Sequence, residues 1–245
     1  MDCNYYVLHV KEGFTNREKS IIEQFARLEL PFEWVLDYDK DELSDDVLER
    51  YGYSGSLRKE EISCCLKHIT AWERIARGPW AGGFVFEDDI LIDVQNFKAG
   101  IQKAILELNT HWQGHGCISL GNAMAFYVPW TKRKKDRLLY QADFIRATDS
   151  YWLTKALARK MVEWIMANGF SLPADHLVDR INMELEVPML WLAPTLISQG
   201  SHTGLFASSI QNQERGKWFD RIEWRIKIFR RKYLYPLMGI DLRKK

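Results

Sequence analysis

Apolar residues follow two alternating rhythms along this chain. The continuous runs Tyr5–Val10 and Phe32–Leu36 read as strands. Between them, a helical period begins at Asn16, a favoured capping residue type, and ends near Leu28. Ile62, Leu66, Ile69, Trp72 and Ile75 recur at steps of three and four and predict another helix. Gly82-Gly83-Phe84-Val85-Phe86 predicts a buried strand that runs directly into Glu87-Asp88-Asp89. A helix near Phe97–Leu108 and a strand at Cys117–Leu120 follow. Tyr140–Leu153 reads as extended, Lys155–Ala167 and Asp175–Leu185 as helices, Pro188–Ile197 as a strand and Ser198–Gln213 as a polar loop. Strands alternating with helices predict an α/β fold, with a mostly parallel sheet covered on both faces. Ligands of such sheets sit at the carboxyl ends of the strands, so the acidic triplet stands where a site belongs.

Charge changes the picture at one end. From Arg215 to Lys245 there are 11 Lys and Arg against 3 Asp and Glu, a local charge of +8 on a chain whose net charge is only +1. Phe219, Ile222, Ile226, Phe229 and Tyr233 form an apolar stripe there, accompanied by Arg221, Arg225, Lys227, Arg230, Arg231 and Lys232. A basic amphipathic helix of this kind reads as an interfacial anchor for an anionic membrane surface. Packing of the stripe on the body, or pairing with a second subunit, is the alternative. No nucleic-acid-binding motif accompanies the charge, so nucleic acid is not an expected partner.

Composition adds bounds. A 245-residue chain with 47% hydrophobic and 27% charged residues is long and apolar enough for one large core. The expected organisation is a domain over residues 1–213 and a tail over 214–245. Cys3, Cys64, Cys65 and Cys117 form no CxxC pair, so reduced thiols in a cytosol are expected rather than a disulfide framework or a zinc knuckle. Neither a signal peptide nor an apolar run of membrane-spanning length is read from the chain.

Three consecutive carboxylates repel one another, and a hard divalent cation removes that cost. Mg²⁺ or Mn²⁺ commonly bridges such carboxylates to substrate phosphates, which points to a metal holding a diphosphate. A solvated turn paired with nearby Lys and Arg is the alternative.

The stretch Glu61-Ile62-Ser63-Cys64-Cys65-Leu66-Lys67-His68, with Trp72 four residues on, resembles glycosyltransferase family 25. That family reads Gly-Glu-Ile-Gly-Cys-Ala-Leu-Ser-His, and then places a hydrophobic strand ending in Glu-Asp-Asp where Phe84–Asp89 stands. Tyr6–Val10 with Asn16-Arg17-Glu18, Asp37, Thr148–Ala158, Pro173-Ala174-Asp175, Gln199 and Ser208-Ser209-Ile210 are similar to further family segments. There are departures. His9-Val10-Lys11-Glu12 replaces the usual Asn-Leu-Asp-Arg, Glu60 and Ser63 replace a glycine pair, and Lys67 replaces a serine.

The resemblance implies a GT-A-like, Rossmann-type mixed sheet flanked by helices. It implies inverting transfer of a hexose, galactose first and glucose second, from a UDP-sugar to a lipid-linked oligosaccharide acceptor of the lipooligosaccharide or LPS core. A non-catalytic nucleotide- or glycan-binding relative is the alternative. It places the enzyme in the cytoplasm, peripheral on the inner face of the bacterial inner membrane. Under it, Glu87, Asp89 and His202 are expected at a Mn²⁺ or Mg²⁺ ion. His9, Arg17, Asp37, Glu61, His68 and Asp88 are expected around the donor, with Asp175 as catalytic base and Asp149 in reserve. Asp175 reads equally as a helix cap, His202 as a surface-loop histidine and His68 as a core histidine.

Overall fold

The structure is a computed structural model describing residues 3–200 and 217–244. In chain order its strands are β1 (Asn4–Leu8), β2 (Glu33–Val35), β3 (Gly82–Glu87), β4 (Ile90–Ile92), β5 (Cys117–Ser119), β6 (Leu139–Ala142), β7 (Ser150–Thr154), β8 (Met189–Leu192) and β9 (Ile197–Gln199). Seven of them form one sheet in the order β2-β1-β3-β7-β5-β8-β6. β1 pairs in parallel with β2 and β3, and β5 with β8; β7 and β6 run antiparallel to their neighbours. The sheet is therefore mixed, with its site end defined by the parallel trio β2-β1-β3.

Two expected single strands are each divided. Tyr140–Leu153 becomes β6 and β7 with a loop between them, and Pro188–Ile197 becomes β8 and β9 across a cis Ala193–Pro194 bond. β9 leaves the large sheet to pair with β4, placing Gln199 opposite Ile90. The acidic triplet is thus the end of β3 and the turn to β4.

Alternation along the strands loads both faces. Tyr6, Leu8, Val85, Tyr151 and Leu153 face one core. This core is completed by α3 (Lys59–Arg77), α5 (Lys155–Asn168) and α6 (Ala174–Glu184). Tyr5, Val7, Phe84, Phe86 and Trp152 face the other, completed by α1 (Thr15–Leu28) and α4 (Phe97–Trp112). A period of two with both faces buried is what a helix-covered sheet requires. α1 departs from expectation at its start. Asn16 lies inside the first turn, and Phe14, at φ 52°, occupies the cap position without a side-chain cap bond.

The tail helix, Lys217–Phe229, continues through a π-helical turn (Arg230–Leu234) into a last turn (Tyr235–Leu237). Its end docks on the body. The Asp143 N–H donates to the Arg243 carbonyl at 2.7 Å, Arg231 donates to the Met124 carbonyl and lies 4.4 Å above the Phe126 ring, and Leu242 packs by Trp191. Of the apolar stripe, Ile222, Ile226, Phe229 and Tyr233 remain exposed, and the side chain of Phe219 lies outside the described ones.

Candidate active site

A cleft of about 590 Å³ opens at the carboxyl ends of β1 and β3. Its lining includes His9, Lys11, Arg17, Asp39, Cys64, Lys67, Glu87, Asp88, Asp89 and Gln199. Strand ends gather these groups because β1 and β3 run parallel in register, with Leu8 beside Glu87.

Asp88 is held from two sides. The His9 ring meets Oδ2 through Nδ1 at 2.7 Å, and Arg17 Nη1 donates to Oδ1 at 2.6 Å. All three side chains are buried. Arg17 reaches Asp88 from the first turn of α1, its guanidinium 4.5 Å from the Phe14 ring centre. The middle acid of the triplet is therefore spent on joining β1, α1 and the end of β3.

Glu87 and Asp89 remain as carboxylates bordering the cleft. Glu87 Oε1 accepts from Thr148 Oγ1 at 3.2 Å, and Asp89 Oδ1 accepts from Gln199 Nε2 at 3.2 Å. The Asp89 carbonyl takes the Gly200 N–H at 2.7 Å, tying the turn to the chain beyond β9. Behind them lies Asp149, 1% exposed, with Oδ2 accepting from Ser150 Oγ and Oδ1 without a hydrogen-bond partner. Burial, and after it the charge of Glu87, pushes its carboxyl up to about 8. A Cβ on Gly121 would stand 1.7 Å from Asp149 Oδ2, so glycine there makes the room. The paired hard oxygen donors of Glu87 and Asp89 at the strand ends fit a divalent cation.

His68, in the middle of α3, is 1% exposed. Its Nδ1 bonds the Tyr151 hydroxyl at 2.9 Å, and that hydroxyl also accepts from Trp72 Nε1 at 2.7 Å. Nε2 has no hydrogen-bond partner and stands 3.9 Å from Glu87 Oε1. The family-like His and Trp therefore share one tyrosine of β7, and the histidine itself faces Glu87 of the acidic turn.

The other expected residues are dispersed. Asp37 is half-buried and pairs with Arg74 Nη2 at 2.5 Å, while its carbonyl accepts from Lys67. Asp39, two residues on, is the acid that borders the cleft. Glu61 accepts from the Arg58 backbone N–H and Nε at the start of α3, and its neighbour Glu60 lines the cleft. Asp175 sits in the first turn of α6, where Oδ1 accepts the His176 N–H; burial first, and after it acidic neighbours that include Asp175, push the Cys64 and Cys65 thiols up. Asp175 is not among the residues that line the cleft. His202 lies outside the described residues.

Lys67 was not singled out for a role by the sequence. It is 4% exposed, and Nζ donates to the Asp37 carbonyl at 2.8 Å and to Asp39 Oδ1 at 2.7 Å. A lysine on the buried face of an amphipathic helix, where similar sequences have serine, was the available signal. Thr148 and Tyr151, which contact Glu87 and His68, lie in the family-like segment Thr148–Ala158, but nothing in the sequence paired them with those partners.

The fold is a helix-covered mixed sheet with a cleft and an acidic turn at the ends of its parallel strands. A family model described as glycosyltransferase family 25 (LPS biosynthesis protein) matches residues 4–178, and the chain belongs to that family. No curated protein matches the chain. Among solved structures, the chain is similar to the inositol-1-phosphate CTP transferase from T. maritima, at 11% identity and a TM-score of 0.44, over 94% of this chain and 97% of that one.

Proposed function

We propose that this glycosyltransferase moves a hexose, galactose in the first instance, from a UDP-sugar to a hydroxyl of a lipooligosaccharide or LPS core glycan, with inversion. The observation that carries this reading is the division of labour in the triplet. Asp88 is consumed by His9 and Arg17, while Glu87 and Asp89 border the cleft at the strand ends. Bound at Glu87 and Asp89, Mn²⁺ or Mg²⁺ supplies neutralisation of the diphosphate charge that grows as UDP leaves. His202 is a further candidate ligand from the chain after Gly200.

Direct displacement also needs a base for the acceptor hydroxyl. Asp175, a half-buried acid in the first turn of α6, is assigned this role on its Pro173-Ala174-Asp175 segment, which is similar to the family's Pro-x-Asp. Asp149, in reserve, is sealed from any acceptor by burial. Lys67 and Asp39 shape the donor end, and His9 and Arg17 act there through Asp88.

Residues 1–213 then form the catalytic unit and 214–245 the docking element. No helix among the described residues is long and apolar enough to cross a membrane. The exposed stripe Ile222, Ile226, Phe229 and Tyr233, beside exposed Arg225 and Arg230, supports docking on an anionic membrane surface. Each Lys or Arg near such a surface contributes about 1 kcal/mol. On this reading the enzyme works peripherally on the inner face of the inner membrane, where lipid-linked acceptors are exposed.

The test is turnover of UDP-galactose against UDP-glucose with LPS core oligosaccharide, the product's anomeric configuration being read by NMR. A galactosylated product with inverted configuration supports the reading. Glucose transfer corrects the donor, and hydrolysis without transfer to any acceptor contradicts it.

A further inference from the structure

We propose that Cys64, His68 and Glu87 form a site for a zinc-class transition ion on the floor of the cleft, and that filling it withdraws Glu87 from the donor-side cation. The second half of the proposal rests on the reading of the cleft as the donor site; the first half does not.

The geometry follows from two periods. Cys64 and His68 are four apart on α3 and share a face. Glu87 ends β3, the strand packed beside that helix. A thiol sulfur, an imidazole nitrogen and a carboxylate oxygen consequently lie within 4.8 Å of one another. A tetrahedral ion with bonds of about 2.0–2.3 Å spaces its ligands about 3.5 Å apart, so a small inward movement of flexible side chains closes the set. Cys64 and Glu87 both border the cleft, which leaves a fourth position open to water or a ligand.

His68 supplies the independent observation. It is almost wholly buried, yet Nε2 has no hydrogen-bond partner and faces Glu87 Oε1 at 3.9 Å. A buried imidazole nitrogen without a partner is costly, and a metal is one of the few things that fills such a position. The other ring nitrogen is already oriented. The Tyr151 oxygen accepts from Trp72 and has a second lone pair for Nδ1–H, which is the tautomer that frees Nε2 to ligate.

The donor set selects the ion. Sulfur and imidazole favour zinc-class ions over Mg²⁺ or Mn²⁺, whereas the carboxylate of Asp89 has the opposite preference. Cys65 is excluded, since its Sγ donates to the Leu172 carbonyl at 3.4 Å. Binding forms the metal–sulfur bond as the Cys64 thiol releases its proton to solvent.

Cobalt is the probe. Titrating the full chain with Co²⁺ is expected to produce a thiolate-to-cobalt charge-transfer band in the near ultraviolet at a single equivalent. Cys64→Ser is expected to lose the band and Cys3→Ser to retain it. No band on the wild-type chain, or a band that survives Cys64→Ser, overturns the site. X-ray absorption of the zinc-loaded wild-type chain gives a reading free of any variant: one sulfur in the shell supports the site, and a shell of nitrogen and oxygen alone overturns it. Zn²⁺ is then expected to weaken Mn²⁺-dependent UDP binding in the wild-type chain and not in Cys64→Ser. Undiminished UDP binding by the zinc-loaded chain overturns the competition. Absence of any Mn²⁺-dependent UDP binding overturns the donor reading instead, with the cobalt band still deciding the site.

Discussion

Arg17 Nη1 donates to Asp88 Oδ1 at 2.6 Å, across 71 residues of sequence, and both side chains are buried. Together with His9 on the other oxygen, this bond fixes the acidic turn to the start of α1. Removing one partner of a buried pair leaves an uncompensated charge and costs about 3–5 kcal/mol. Asp88→Ala is therefore expected to lower Tm by roughly 10 °C for a chain of this size. Arg17→Lys is expected to be nearly as damaging, because a lysine lacks the planar guanidinium that reaches Asp88 over the Phe14 ring. Thermal melts of both variants check this, and wild-type melting of Asp88→Ala would show that the turn does not depend on the pair.

Asp89 has the opposite profile. Its carboxylate, buried as well, meets Gln199 and borders the cleft, and under the proposed function it is a cation ligand with no arginine or histidine clamp like that on Asp88. Asp89→Ala is expected to keep the wild-type Tm within a few degrees and to lose turnover roughly 10³-fold, the scale of several kcal/mol of Lewis-acid stabilisation. EDTA is expected to do the same to the wild type. Near-normal initial rates in EDTA contradict the metal role.

Asp149 makes stability depend on pH. Its folded carboxyl titrates near 8 against an ordinary value of 3.8, raised first by burial and then by Glu87. Below about pH 4 the folded and unfolded states both hold the proton, and this group costs nothing. As pH rises towards 8 the unfolded chain releases the proton and the folded chain keeps it, so stability falls; above 8 the contribution is level. Asp149→Asn is neutral throughout. Its stability advantage over the wild type is expected to grow from pH 5 to pH 8 in urea melts made with EDTA present. An advantage equal at both pH values contradicts the burial argument.

The tail divides into a docked side and a free side, which allows a sharper test than truncation. Ile226 and Phe229 are 52% and 54% exposed. Ile226→Glu with Phe229→Glu is expected to leave Tm unchanged, as exposed substitutions generally do, while reducing sedimentation with anionic vesicles. Deletion after Gln213 is expected to abolish vesicle binding. Binding that survives both changes refutes the anchor.

How much of this was legible in the chain depends on range. The strand Gly82–Phe86 with its acidic end, and the helix carrying Ile62 to Ile75, are stated by local apolar period and stand in the structure as β3 and α3. β4 and β9 are three residues each and exist by pairing with one another across more than a hundred residues, so no local pattern announces them. The reversal of β7 between β3 and β5 is likewise a matter of tertiary pairing. Within the site, the acidic triplet was visible, but its division was not. Nothing near Asp88 in sequence says that His9 and Arg17 will take it. Asp37 and Asp39 show the same limit: both follow β2, and only the reach of Arg74 and Lys67 decides which faces the cleft.

Under the proposed function, Glu87 and Asp89 hold a cation that binds a uridine diphosphate in this cleft. Calorimetric titration of the full chain with UDP, with and without Mn²⁺, tests it most directly, with Asp89→Ala alongside. Mn²⁺ is expected to strengthen UDP binding in the wild type and not in Asp89→Ala. UDP binding that is absent from the wild type, or equal with and without Mn²⁺, would contradict it.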